Sequence, residues 1–341
     1  MRASLQTAGL RVQLISSHRW LADVLNEAGA GELSPDDGGT DPDVRVVVED
    51  TREAFDTDGW DVLTRGAWRR PGQVVVRDAC TSGVDLQVTA VGPTLQVTAR
   101  WRPPLATRGA TAVLRSRARL LLRAVLIQYP ALWWSQQQGR APLHGSVCSL
   151  GQSGASRDPG HTVLLAGPGG VGKSTLVNTE LAAGAVATCD NLCVSDGCTA
   201  WGLVEPMRVQ PGQPGVGRGR RMPHGRRESV WPRRADSMTP DCVIVLRRGH
   251  EREPVVGPCP PAEAARQLSA GTYMAGELRR YWAFAATLAL GTGVGEPHPD
   301  IAGVASALTA RLPCTSITLG ERRGSPLRDL LSEITAAEVS R

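Results

Sequence analysis

Residues 167–174 read Gly-Pro-Gly-Gly-Val-Gly-Lys-Ser and are followed by Thr175, a G-x-x-x-x-G-K-[ST] pattern set between an apolar run at 162–166 and a helical pattern at 172–183. The order of buried strand, glycine loop and helix restricts the fold more than any other feature of the chain. Such a strand belongs inside a sheet and such a helix on its face, which predicts an α/β domain. Gly167, Pro168, Gly169, Gly170, Val171, Gly172, Lys173, Ser174 and Thr175 form the expected nucleotide-binding set. The glycines let successive amides turn inward around a phosphate, and the helix start adds positive partial charge. Lys173 would bridge the terminal phosphates and the Ser174 hydroxyl would bind Mg²⁺, so ATP and Mg²⁺ are the expected cofactors. Composition sharpens this point: Lys173 is the only lysine, against 37 arginines. A coding bias toward arginine accounts for the 37 but not for the exception, unless position 173 needs a compact ammonium that a forked guanidinium cannot replace.

The chain has 341 residues, of which 41% are apolar and 21% charged. This suits two domains with real cores and excludes a disordered or fibrous protein. The longest apolar run, 281–295, is too short to span a bilayer, and no basic start with an apolar stretch marks the first thirty residues. No membrane partner and a cytoplasmic location are the expectations. The eight cysteines contain no C-x-x-C pair, and Cys189, Cys193 and Cys198 have the spacing of no zinc module.

Along the chain, residues 1–110 alternate short β-like runs (11–15, 44–48, 74–76, 86–91 and 95–101) with turn signals and one helix after Ser17, predicting a small α+β domain. A helical pattern at 114–128, ended by Pro130, predicts a connector over 111–140. The remainder, 141–341, predicts strands at 143–150, 162–166, 186–194, 242–246 and 316–319, with a flexible stretch at 151–160. Helices are expected at 172–183, 262–268, 273–290, 301–312 and 327–337.

Around the phosphate loop the chain resembles the HPr kinase/phosphorylase family, P-loop kinases related in fold to nucleotide-dependent phosphoenolpyruvate carboxykinase. The likeness is carried by Leu143-His144-Gly145-Ser146 before the loop, by the loop itself, and by the run from Ala182 to Asn191 after its helix, and it covers about residues 143–205. It is closest to the shorter relatives from peptide natural-product clusters, which modify a serine hydroxyl. The resemblance implies a P-loop kinase domain of that type, phosphoryl transfer to a serine of a peptide or protein, and a homo-oligomer. It also gives His144 a phosphate or substrate contact and makes Asp190 and Glu205 metal-shell carboxylates. Where the family has two acids, this chain has Asp190 followed by Asn191. An amide takes no proton, so either Asp190 serves as acceptor or no phosphate is transferred. Phosphoryl transfer draws mainly on positioning and charge neutralisation, which favours Asp190.

Charge is segregated: residues 1–60 carry a net −7 and residues 208–234 a net +7. Four prolines and five glycines at 211–234 predict a long loop without regular structure. Its arginines suit either a migrating phosphoryl group, with Arg226 or Arg227 as the contact, or an acidic partner. No aromatic residue interleaves it before Trp231, which argues against a nucleic-acid platform. Arg279, Arg280 and Tyr281 are weaker candidates for lining a substrate cleft. The expected activity is an ATP-dependent kinase with Lys173, Asp190 and His144 at the reacting groups. A kinase of a small-molecule alcohol and a nucleotide-gated accessory module without transfer are the alternatives. A hydrolysing NTPase is disfavoured, because Asp241 begins the 242–246 strand instead of ending it.

Overall fold

The computed structural model describes residues 1–36, 38–150, 161–209, 220–222, 227–296, 299–320 and 326–331. The first half is built on a nine-stranded sheet. Its elements are β1 (Arg2–Thr7), β2 (Leu10–Ser16), helix α1 (Arg19–Ala28), β3 (Ser34–Pro35), β4 (Val44–Glu49), β5 (Asp61–Thr64), β6 (Ala67–Arg70), β7 (Gln73–Val76), β8 (Val84–Thr89) and β9 (Leu95–Trp101). The order is β3-β1-β2-β4-β9-β8-β7-β6-β5, with β2, β4 and β9 parallel at the centre. Alternation explains the central strands: Val44, Val46 and Val48 of β4 and Leu95, Val97 and Ala99 of β9 are buried while the residues between them are not. The short strands β5 and β6 leave no alternating signal, which is why the sequence did not predict them.

Next come α2 (Leu105–Val113), α3 (Arg115–Arg123), a π-type stretch over Ala124–Gln128 and α4 (Tyr129–Trp134). Pro130 does not end the helix as expected. It stands in the first turn of α4 just after the widened π stretch, where an amide donor is not required. The segment is firmly packed. Leu122, Val125, Leu126, Ile127, Leu132 and Trp133 are buried in one cluster with strand residues of the first half and with Leu192, Val194, Leu203, Tyr281 and Phe284 of the second. The two halves therefore share a core.

The second half begins with β10 (Ala141–Ser149), β11 (Thr162–Ala166), α5 (Lys173–Ala182), β12 (Ala187–Cys189), β13 (Leu192–Ser195), β14 (Ala200–Gly202) and β15 (Met207–Val209). It continues with β16 (Arg220–Arg221), β17 (Arg227–Ser229), β18 (Ser237–Met238), β19 (Cys242–Arg248), β20 (Val255–Pro258), α6 (Pro261–Tyr273), α7 (Tyr281–Thr292), α8 (Ile301–Arg311) and β21 (Cys314–Leu319). The second sheet runs β18-β14-β13-β10-β11-β19-β21-β20, with β12 also on β10 and with β11, β19 and β21 parallel. The molecule is a mixed α/β protein. Among the described residues no helix is long and apolar enough to cross a membrane.

Three expectations change here. The strand at 186–194 is two strands: β12 pairs with the end of β10 and β13 with its beginning, and Asp190 and Asn191 lie between them. The helix at 273–290 is broken at 274–280, where a turn containing Gly276 separates α6 from α7; the Tyr129 hydroxyl donates to the Glu277 carbonyl there at 2.9 Å. Where it is described, the basic segment holds regular structure, since β16 and β17 join β15 in a small three-stranded sheet; residues 210–219 and 223–226 lie outside the described residues. The flexible stretch at 151–160 and the helix beyond Leu331 lie outside the described residues.

Candidate nucleotide-binding site

Strand β11 delivers the chain to the glycine loop in the interior of the second sheet, between β10 and β19. Gly167 has φ +151°, and a Cβ there would lie 2.8 Å from the Leu246 carbonyl oxygen; Gly172, at the start of α5, has φ +127°. Both positions exclude a larger residue. The first helical amide bond of α5 runs from Leu176 to the Gly172 carbonyl at 3.1 Å. The amides of Lys173, Ser174 and Thr175 thus open toward the loop, and no side chain caps them. Val171 does not face the loop's interior; it is buried in the core beneath α5.

A cleft of about 320 Å³ lies over this helix start, lined by His144, Gly169, Gly170, Gly172, Lys173, Ser174, Thr175, Asn178, Asn191, Arg208, Val209 and Glu277. Lys173 is buried, and its Nζ donates to the carbonyls of Gly167 at 2.7 Å and Pro168 at 3.2 Å. Burial pulls its pKa down to about 8, against the attraction of Asp190 and Glu277. The ammonium is thus aimed across the loop mouth without a carboxylate bonded to it.

Asp190 sits in the gap between β12 and β13, almost fully buried. Neither carboxylate oxygen has a partner in hydrogen-bonding geometry. Burial raises its pKa, although the Ser174 hydroxyl and the Arg208 amide approach as donors, outside strict hydrogen-bond geometry, and with the charges of Arg208 and Lys173 favour the ionised form. The Ser146 hydroxyl bonds the Asp190 carbonyl and holds the backbone in place. His144 on β10 lies on the cleft wall, its amide on the Thr272 hydroxyl at 2.9 Å and its Nε2 3.1 Å from Asn191 Oδ1. Burial and the nearby Lys173 push the imidazole down to about 4, so it is neutral at neutral pH.

Two residues that sequence reasoning missed complete the wall. Arg208, on β15, pairs with Glu277 at 2.8 Å and with Glu205 at 3.4 Å. Burial works against its charge, but Glu205 and Glu277 outweigh burial and hold the guanidinium firmly protonated. Burial likewise opposes ionisation of Glu277, and Arg208 overcomes it and keeps that carboxyl below its ordinary value. Glu205 lies behind Arg208, outside the cleft, with one oxygen accepting from the Leu192 amide at 3.2 Å. Burial pushes it up to about 7, helped by Asp190 and Glu277.

The expected set therefore divides. Lys173, Ser174, Thr175, His144 and the loop glycines Gly169, Gly170 and Gly172 meet at one cleft, and Asp190 lies buried beside Ser174 and Lys173. Glu205 is drawn into holding Arg208. Arg227 lies on β17 in register with Val209 and is not part of the cleft lining; Arg226 is outside the described residues. Cys189 and Cys193 are buried thiols, and among the described residues no group of three His, Cys, Asp or Glu side chains converges to hold a metal by itself. Tyr281 is fully buried in the core and lines no substrate cleft. Compared with known proteins, the chain matches no family model and no curated protein.

Proposed function

We propose that the protein is an ATP-dependent phosphotransferase, with a P-loop kinase domain of the HPr kinase type, that moves a γ-phosphate to a hydroxyl, foremost a serine of a peptide or protein. One observation carries the reading: the only lysine of the chain, buried at the mouth of a glycine loop, stands beside a buried aspartate whose two oxygens are unpartnered. A buried carboxylate without hydrogen bonds is costly unless a cation or a proton donor completes it. The donor set of Asp190 and the Ser174 hydroxyl, oxygen only, fits Mg²⁺, which keeps several waters and takes few protein ligands. Bound there, the cation would supply charge neutralisation at the phosphates.

The chain's own residues then have distinct roles. The amides at the start of α5 cradle the phosphates, and Lys173 moves from the loop carbonyls to the terminal phosphoryl oxygens. Arg208, fixed between Glu205 and Glu277, offers a second cation from the opposite wall. Asp190 orients the incoming hydroxyl or accepts its proton, and neutral His144 contacts phosphate or acceptor. The test is intact-mass analysis of serine peptides and polyol or amino-alcohol metabolites after incubation with Mg²⁺, ATP and either wild-type protein or Lys173→Ala. A gain of one phosphate that requires Lys173 supports the reading.

A second reading has its own observation. Asn191, where the resembled family carries an acid, spends its Oδ1 on His144. A protein that loads ATP and docks a partner without transfer would tolerate that amide. ATP binding without phosphate gain on any acceptor, together with ATP-dependent capture of a partner, would favour it.

A further inference from the structure

A second cavity, of about 370 Å³, lies in the first half of the molecule, remote in sequence from the phosphate loop. One wall is the face of α3 that carries Leu114, Ala118, Leu121 and Leu122, residues at helical spacing. The opposite wall is aromatic: Trp20 and Trp101 stack with centroids 4.4 Å apart and planes at 23°. Hydroxyls of Thr81, Ser82, Thr107 and Thr111 edge the space, and no acidic residue lines it. Arg117, exposed at the rim, has no carboxylate within ion-pair distance among the described residues.

The turn that supplies Thr81 and Ser82 is strained. Asp78, Cys80 and Thr81 have φ of 46°, 56° and 59°, a conformation unfavourable for any side chain and most of all for a β-branched one. It is held by the Asp78 carboxylate accepting from the Gly83 amide at 2.7 Å and by Arg280 donating to the Cys80 carbonyl at 3.0 Å. Strained backbone held in place this way clusters at ligand sites.

We propose that this cavity binds a small planar aromatic molecule carrying one anionic group, a carboxylate or a sulfonate. Its volume lies at the lower end of the range of small-molecule sites and suits a bicyclic ring. A mostly apolar interior with stacked indoles takes the ring face. The unpaired arginine at the rim takes the anion, and the lack of any acidic group in the lining turns cations away. The inference is independent of the phosphotransferase reading.

Titration calorimetry of the full chain tests it, with indole-3-acetate as the probe and indole as its uncharged counterpart. Wild-type protein should bind both, the acid more tightly. Arg117→Glu, at an exposed position, should weaken the acid about tenfold and leave indole within about twofold. Thr111→Trp, which fills the cavity, should abolish binding of both while the thermal midpoint stays near that of the wild type. Absence of binding by either probe at millimolar concentration would overturn the proposal. So would acid binding that Arg117→Glu leaves unchanged, or binding that survives in a folded Thr111→Trp variant.

Discussion

Arg208 and Glu228 stand directly opposite one another in the antiparallel register of β15 and β17. Each leads to a different half of the molecule. Arg208 reaches Glu277 and Glu205 at the cleft, whereas Glu228, buried, takes Arg119 at 2.7 Å and Arg123 at 2.9 Å from α3. Arg119 also pairs with Glu27 on α1, and Arg220 of β16 stands 3.7 Å from the same carboxylate. The basic segment is thus moored to acids of the first half, and part of the charge segregation along the sequence is resolved inside the fold.

Glu228→Gln should destabilise the protein by about 3 kcal/mol, because it takes the counterion from buried Arg123 and leaves Arg119 with Glu27. Urea denaturation would read this as a lower midpoint at unchanged slope. ATP binding should weaken as well, since β17 fixes the strand that carries Arg208.

Lys173→Ala should lower ATP affinity at least about tenfold, and Lys173→Arg should not restore it. The pocket for Nζ is closed by the carbonyls of Gly167 and Pro168, and a planar fork cannot occupy it. Calorimetry with ATP and Mg²⁺ compares the three proteins.

Asp190→Asn should raise the thermal midpoint of the nucleotide-free protein while abolishing Mg²⁺-dependent transfer. The buried carboxylate has a raised pKa, so at neutral pH its charge costs stability that an amide does not. A midpoint that falls would show that the carboxylate is held by bonds instead of waiting for a cation.

Glu205 has a folded pKa of about 7 against an ordinary value of 4.5. The folded state holds this proton more tightly than the unfolded state, so the contribution is fully present below pH 4.5 and is lost as pH rises to about 7. The loss is at most about 3 kcal/mol. Denaturation midpoints of wild type and Glu205→Gln should therefore diverge across that window, the wild type losing ground as pH rises.

The glycine loop, its strand and its helix were readable because their signals are local: four apolar residues in a row, a tight cluster of glycines and one lysine. His144 and Asp190 were readable from resemblance, and β10 brings both within the same site. Arg208 and Glu277 were not. They lie 69 residues apart, and their meeting depends on a small sheet inside a segment whose composition reads as a loop and on a break in what reads as one helix. Their only local trace is the pairing of Glu205 with Arg208 three residues on. The burial of two arginines in the connector was unreadable for a related reason: Arg119 and Arg123 are buried because partners from distant parts of the chain neutralise them.

The bond between Arg123 and Glu228 spans 105 residues. During synthesis, α3 leaves the ribosome well before its counterion has been translated, and until then the Ala28 carbonyl is the partner that the first half offers Arg123. The sheet of that half is complete in strands by residue 101, yet the acid that neutralises Arg123 is supplied only at residue 228, from the other half.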